Sequence, residues 1–299
     1  MCGICGFTGY RQDQKTVIER MMKAIAHRGP DSEGSFCREK ITLGFRRLSI
    51  IDLEDGQQPM ESADGNLHIV FNGEIYDYKE LREELETSGI SFCTHSDTEV
   101  LVNTVQQYGE KALDKLRGMF GFAVWNEKEQ TLMLARDFFG IKPVYYAEID
   151  GHFVFASEIK SILAFPGYER KVNQKALEQY LSFQYSPLEE TFFRGIYKLM
   201  PGHMLLYKNG SYEIKTYFKP KLTPGQWDHK TNMAQLRSQL SEILKDSVKH
   251  HMLSDVEVGA FLSGGVDSGY LASSSGADQA FTVGFDEGDR YSEVNKAAK

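Results

Sequence analysis

The feature that most constrains this chain is a run of short extended segments after Gly118. Residues 119–125, 131–135, 144–147 and 153–156 are rich in β-branched and aromatic side chains and are separated by turn signals. Segments this short are not stable alone, so they must pair into sheets that bury a face against another layer. Upstream, strands are predicted at 4–8, 42–45 and 67–71, and helices at 16–26, 78–87 and 98–108. In the first helix Val17, Met21, Ala24 and Ile25 fall near helical spacing, and the polar loop at 27–32 ends it. Strands interleaved with helices predict a layered α+β domain reaching about Tyr217.

Residues 219–231 then form a polar stretch with Pro220, Pro224 and Gly225 that reads as a linker. Beyond it, 232–253 is an amphipathic helix pattern with Leu236, Leu240, Ile243, Leu244 and Val248 on one face. A strand at 256–262, a glycine turn, a helix from Asp267 and a strand at 281–283 read as the opening of a βαβ unit. The length of 299 residues fits two domains, or one domain and a fragment of a second.

The formal net charge of −8 and the absence of any Lys/Arg cluster argue against a nucleic-acid partner. The first twenty residues lack the apolar core of a secretory signal, and no apolar run approaches the ~20 residues of a membrane span. These features predict a cytoplasmic protein with no membrane partner. Among the four cysteines, Cys2 and Cys5 have CxxC spacing. A zinc site needs a further ligand pair, yet Cys37 and Cys93 stand alone, and a redox CxxC follows a strand. Free thiols and no metal site are therefore expected.

Cys2 follows Met1, and initiator methionine is normally removed before a small residue. An α-amine of pKa about 7.7–8.0 would then sit on the residue whose thiol titrates near 8.5. The amine can take the thiol proton, which joins nucleophile and base in one residue. Such a site needs donors for a developing oxyanion, and Asn72 and Gly73 supply an amide and an approachable backbone N–H. It also needs a cation and an acid for an amino-acid substrate, for which Arg47 and Asp97 are suited. Taken singly, Asn72-Gly73 reads rather as a hairpin turn, Ser96 or Asp97 as a helix cap, and Arg47 as a surface charge or structural ion pair.

The order of motifs favours the site. Cys2-Gly3-Ile4-Cys5-Gly6, His27-Arg28-Gly29-Pro30-Asp31, Arg47-Leu48-Ser49-Ile50-Ile51-Asp52, Phe71-Asn72-Gly73-Glu74-Ile75-Tyr76 and Ser96-Asp97-Thr98-Glu99 resemble those of class II glutamine amidotransferase domains. Ala135-Arg136-Asp137-Phe138-Phe139-Gly140-Ile141-Lys142-Pro143 and Ala156-Ser157-Glu158-Ile159-Lys160 resemble glutamine-hydrolysing asparagine synthetases. The resemblance implies an N-terminal-nucleophile αββα sandwich over 2–218, with Cys2 as nucleophile and Asn72 with Gly73 as oxyanion hole. It implies that Arg47, Leu48, Ile50, Ile51, Glu74 and Asp97 hold glutamine beside Asn72 and Gly73, with no cofactor needed. Phe45 stands where the family often has His, and Asp77 where Asn is usual.

Ser263-Gly264-Gly265-Val266-Asp267-Ser268 lies between a predicted strand and helix, where glycines and a helix N-terminus suit phosphate. It is no Walker A motif, and a glycine turn there is also simply structural. It resembles the pyrophosphate loop of ATP pyrophosphatases, which implies ATP at Leu262, Ser263, Gly264, Gly265, Asp267, Ser268 and Val283. The same resemblance implies Mg²⁺ near Asp267, with aspartate as ammonia acceptor through a β-aspartyl adenylate. Gly269 departs from the Ser or Thr common there. Residues 232–299 are then the start of an α/β nucleotide-binding domain that needs on the order of 100 residues or more. This chain by itself is expected to act as a glutaminase only. A sister amidotransferase with another carboxylate acceptor stays open, as does a homodimer.

Overall fold

The computed structural model describes residues 1–52, 55–221, 232–285 and 292–298. Two compact units divide the chain, Met1–Pro220 and Lys221–Lys299. The first unit opens with β1 (Gly3–Thr8), α1 (Gln14–Ala24), β2 (Ser32–Cys37), β3 (Ile41–Arg47), β4 (Met60–Glu61) and β5 (Leu67–Ile75). It continues with α2 (Tyr78–Thr87), α3 (Asp97–Tyr108), β6 (Gly118–Asn126), β7 (Thr131–Arg136), β8 (Tyr145–Ile149) and β9 (His152–Ala156). It closes with α4 (Ile159–Leu163), α5 (Gln174–Phe183), β10 (Ile196–Lys198), β11 (His203–Lys208) and β12 (Ser211–Thr216).

Its strands form two six-stranded sheets, ordered β10-β8-β9-β1-β3-β2 and β12-β11-β7-β6-β5-β4. Neighbouring strands within each sheet are antiparallel. The pleat decides what each face carries. Ile41, Leu43 and Phe45 of β3 meet Phe153 and Phe155 of β9, Val70 of β5, Trp125 of β6 and Leu132 and Leu134 of β7 in a layer between the sheets. The alternate residues face outward. Cys5 and Phe7 pack with Val17, Ile18 and Met21 of α1 and Ile162 of α4. Ile69 and Phe71 pack with Leu85 of α2 and Val100 and Leu101 of α3. The layers therefore run helix, sheet, sheet, helix. Because both faces of the central strands are covered, those strands are apolar almost throughout, which made them legible as strands but hid which face was which.

Several expectations change. The strand predicted at 67–71 runs on to Ile75, so Asn72 and Gly73 sit within a paired strand opposite Gly121 and Phe120, not in a hairpin turn. Ser32–Cys37, Ile159–Leu163, Gln174–Phe183 and the three strands after Gly195 were not anticipated. The Ser32–Cys37 strand carries glycine and polar residues because it is the sheet edge, half exposed along its length.

The second unit contains α6 (Met233–His251), β13 (Ala260–Phe261), α7 (Val266–Ser275), β14 (Ala280–Phe281) and α8 (Val294–Ala297). β13 and β14 pair in parallel around α7, as a βαβ opening requires. The strands expected at 256–262 and 281–283 shrink to two residues each. Of the apolar stripe on α6 only Val248 is buried, while Leu240 and Ile243 are 57% and 66% exposed. The linker expected at 219–231 falls mainly on residues outside those described. Among the described residues no helix is long and apolar enough to cross a membrane.

The two cores make a testable contrast. Phe155 is fully buried between the sheets, so Phe155→Ala should destabilise the first unit by about 3–5 kcal/mol. Ile243→Ala on the exposed stripe should stay within about 0.5 kcal/mol of the parent. Urea unfolding curves of both variants check this.

Candidate active site

Strand order brings the site together. β1 lies between β9 and β3, and its register, Gly3 opposite Arg46, sets Cys2 beside the end of β3 that carries Arg47. On β5, Val70 faces the inter-sheet layer, and Asn72, two residues on, shares that face. Asp97 opens α3, with Ser96 as N-cap accepting a hydrogen bond from Thr98 N–H. Cys2, Arg47, Asn72, Ser96, Asp97 and Thr98 line one small cavity of about 50 Å³, together with Leu48, Ile50, Ile51, Gly73, Glu74, Gln58, Lys142 and Met1. Every glutamine-site residue expected from the sequence is thus brought to one place.

The Cys2 thiol meets both backbone groups of one residue: Leu48 N–H donates to Sγ at 3.4 Å, and the thiol donates to Leu48 O at 3.5 Å. The Cys2 carbonyl accepts from Arg28 Nε at 2.8 Å, and Arg28 is held in turn by Glu158 at 3.0 Å. Burial pushes the thiol up from its ordinary value, against the Leu48 hydrogen bond and the N-terminal charge, which pull it down. Burial also holds the Met1 amino terminus below its ordinary value. Burial thus disfavours the charged form of both the amine and the thiol. Cys5 differs. It faces the α1 side of β1, fully buried, and burial pushes its thiol up to about 12. The two cysteines lie on opposite sides of the sheet, so a CxxC redox pair is excluded.

Asn72 is 1% exposed, and among the described residues its Nδ2 has no hydrogen-bond partner. An orphaned buried donor costs about 1–3 kcal/mol, and here it lines the cavity that holds Cys2. Gly73 is required sterically: a Cβ there would lie 2.1 Å from Met119 O and 2.8 Å from Phe120 Cα on the paired strand. Arg47, 4% exposed, donates from Nη2 to the carbonyls of Ile51 and Asp52, which folds the segment after β3 against its guanidinium.

Asp97 is fully enclosed, and burial pushes its carboxyl up to about 7, opposed by the hydrogen bond from Ile75 N–H at 3.0 Å and aided by the nearby charge of Glu74. Among the described residues no cation pairs with this carboxyl. The expected cap reading applies to Ser96, which leaves Asp97 available to the cavity.

Gln58 and Lys142 were not anticipated as site residues. Gln58 accepts from Phe71 N–H at 2.6 Å and donates to Thr98 Oγ1 at 3.1 Å, tying β5 to the start of α3. No local pattern around Gln58 announces that role. Lys142 lies in a motif already singled out, without a role attached.

In the second unit Ser263 and Gly264 follow β13, and Gly265 caps α7. Gly264 has φ +71°, a left-handed conformation in which a Cβ would also lie 2.6 Å from Lys296 Cβ. Ser268 Oγ accepts from Ser263 N–H at 3.2 Å and lies 3.0 Å from Ser263 Oγ, which fixes the turn. Asp267 stands in the first turn of α7. Leu262 and Val283 follow the carboxyl ends of the paired parallel strands, where Thr282 Oγ1 donates to Leu262 O at 2.7 Å.

The geometry agrees with the comparisons to known proteins. Residues 1–218 match the family model of the glutamine amidotransferase domain, and residues 239–299 match that of asparagine synthase. The chain belongs to the glutamine amidotransferase family. It is similar to asparagine synthetase [glutamine-hydrolyzing] 1 of Bacillus subtilis, with 44% identity over 98% of this chain and 48% of that protein. Asparagine synthetase [glutamine-hydrolyzing] 2 of the same organism is 40% identical over 91% of this chain and 38% of that protein. The chain thus spans about half the length or less of these curated relatives. Among solved structures, the B. subtilis glutamine phosphoribosylpyrophosphate amidotransferase complexed with ADP and GMP aligns with a TM-score of 0.56. That alignment has 18% identity and covers 91% of this chain and 63% of that one, a likeness of fold. The first unit has the layered αββα sandwich fold.

Asp97 makes the site measurable without substrate. Its folded pKa of about 7 lies above the ordinary 3.8, so the folded state binds the extra proton and loses stability as pH rises from about 4 through 7. Asp97→Asn should therefore raise the melting temperature increasingly over that window, with the gain levelling off above it. Thermal unfolding of parent and variant across pH 4–9 checks the sign.

Proposed function

We propose that the first unit hydrolyses glutamine to glutamate and ammonia, with Cys2 as nucleophile. The observation that carries this is the partnerless buried Nδ2 of Asn72 lining the cavity of the Cys2 thiol. Removal of Met1 leaves the α-amine on Cys2. The amine takes the Sγ proton, the sulfur attacks the side-chain amide carbon, and the carbonyl electron pair moves onto oxygen. Asn72 Nδ2–H and Gly73 N–H receive that oxyanion. The amine's proton then leaves with ammonia, and water cleaves the thioester to glutamate. Arg47 takes the substrate carboxylate. Asp97 with Glu74 takes its ammonium, which supplies the cation Asp97 lacks. The segment Leu48, Ile50 and Ile51 closes over the ligand.

In the whole protein the ammonia amidates aspartate, activated by ATP as a β-aspartyl adenylate. The asparagine synthase match and the names of the relatives support this acceptor. In the second unit Ser263, Gly264, Gly265 and Ser268 would hold ATP phosphates, which the left-handed Gly264 and the start of α7 suit. Asp267 would sit by a phosphate-bound Mg²⁺, with Leu262 and Val283 flanking the base. Residues 219–231 would serve as the linker between the glutaminase and synthetase parts.

Intact mass should show loss of Met1, and Cys2→Ala should abolish glutamate release with the fold retained. Asn72→Ala should lower kcat by about 10²–10³ with KM little changed. Asp97→Ala should act mainly on KM, by on the order of 2–5 kcal/mol for a lost buried charge partner. Steady-state glutaminase kinetics distinguish these patterns, and the reverse assignment of kcat and KM effects would refute the roles.

A further inference from the structure

The motif running from Arg136 to Pro143 has no part in the reaction as described above, yet it is among the most tightly built segments of the first unit. Arg136 donates to three backbone carbonyls: Nη2 to Gly140 and Nη1 to Leu199, each at 2.7 Å, and Nε to Lys142 at 2.8 Å. Asp137, 1% exposed, accepts from the N–H groups of Phe139 at 3.1 Å and of Ile141 and Lys142 at 2.8 Å. The backbone of Lys142 is therefore fixed at both its N–H and its C=O. Its side chain, 6% exposed, lines the cavity of Cys2 and Glu74. Among the described residues the ammonium makes no hydrogen bond and no direct ion pair. A buried cation without a direct partner is costly, and a loop built to hold one there points to a charge needed in the cavity.

Resting on the glutaminase reading, we propose that Lys142 supplies the positive charge that stabilises the Cys2 thiolate as it attacks the substrate amide. Lys142 keeps its proton throughout. The Sγ proton still passes to the α-amine and the new bond is still sulfur to carbon. Burial pulls the Lys142 ammonium down, while Glu74, Cys2 and Asp137 hold its proton on and Arg28 opposes them. Around the thiol, burial and Asp97 disfavour the charged form, whereas Leu48, the amino terminus and Arg47 favour it. Asp97 would be neutralised by the substrate ammonium and Arg47 by the substrate carboxylate. Arg28 is tied up by Glu158 and the Cys2 carbonyl, so Lys142 is a cation in the cavity still available to the sulfur once glutamine is bound.

The test uses the full chain with Lys142→Met, close in shape and uncharged, and Lys142→Arg. Alkylation of Cys2 by iodoacetamide is followed against pH and quantified on the N-terminal peptide, so that Cys5, Cys37 and Cys93 do not contribute. Lys142→Met should move the midpoint of Cys2 alkylation upward by about 1–3 units, the usual effect of removing a nearby opposite charge. Alkylation at pH 7 should slow ~10-fold or more, because the thiolate is the reactive form. Glutaminase kcat should fall with little change in KM, and Lys142→Arg should restore most of both. Lys142→Gln carries the same expectation should the Met variant fail to fold by circular dichroism. An unchanged midpoint in a folded uncharged variant would overturn the assignment. A parent chain that releases no glutamate would instead refute the glutaminase reading, and the alkylation midpoint would still report on Lys142.

Discussion

The apolar layer between the two six-stranded sheets is the interaction on which the rest of the first unit depends. Packed sheets stand about 10 Å apart, so each inward position must be filled from one side or the other. Phe45, Phe153, Phe155 and Trp125 fill the middle of the layer. At one end, where the chain starts into β1, the inward positions pass to Cys2 and Asn72. The candidate cavity is the end of the core, where packing gives way to polar groups held by the same strands.

That origin explains its electrostatics. Burial raises the Cys2 thiol and the Asp97 carboxyl and lowers the amino terminus and the Lys142 ammonium, and in each it is the largest cause. A site carved from a core penalises charge on every group it contains. Groups that need to become charged must receive compensation from one another or from the ligand. Among the described residues Asp97 has no counter-charge and Asn72 Nδ2 no acceptor, and under the proposed function glutamine would supply both.

The second unit follows different physics. Its two parallel strands contribute two residues each to the pairing, and Phe261 and Phe281 of those strands are 82% and 52% exposed. Parallel sheets are stable when both faces are covered. The local turn chemistry is nevertheless complete: Gly264, Gly265 and Ser268 form a fixed loop between strand and helix. Local geometry at a glycine turn depends on a few neighbours, whereas a sheet depends on distant segments.

Much of this was legible from residue order. Turn signals and β-branched runs marked β6, β7, β8 and β9, and helical spacing marked α1, α2 and α3, because those patterns report burial directly. The motifs around Cys2, Arg47, Asn72 and Asp97 marked the candidate site by resemblance, while each residue alone read as well as a turn, a cap or a surface charge. Tertiary structure decided the rest. It extended β5 through Gly73, because pairing with β6 offered partners that no local signal encodes. It brought Gln58 between Phe71 and Thr98, and it turned the Arg136–Asp137 motif into a scaffold for Lys142. It also left the α6 stripe exposed where periodicity promised burial. Sequence determines what a residue can do and how its neighbours bend; which distant groups share a cavity, and what burial does to their charges, is decided only when the sheets close on each other.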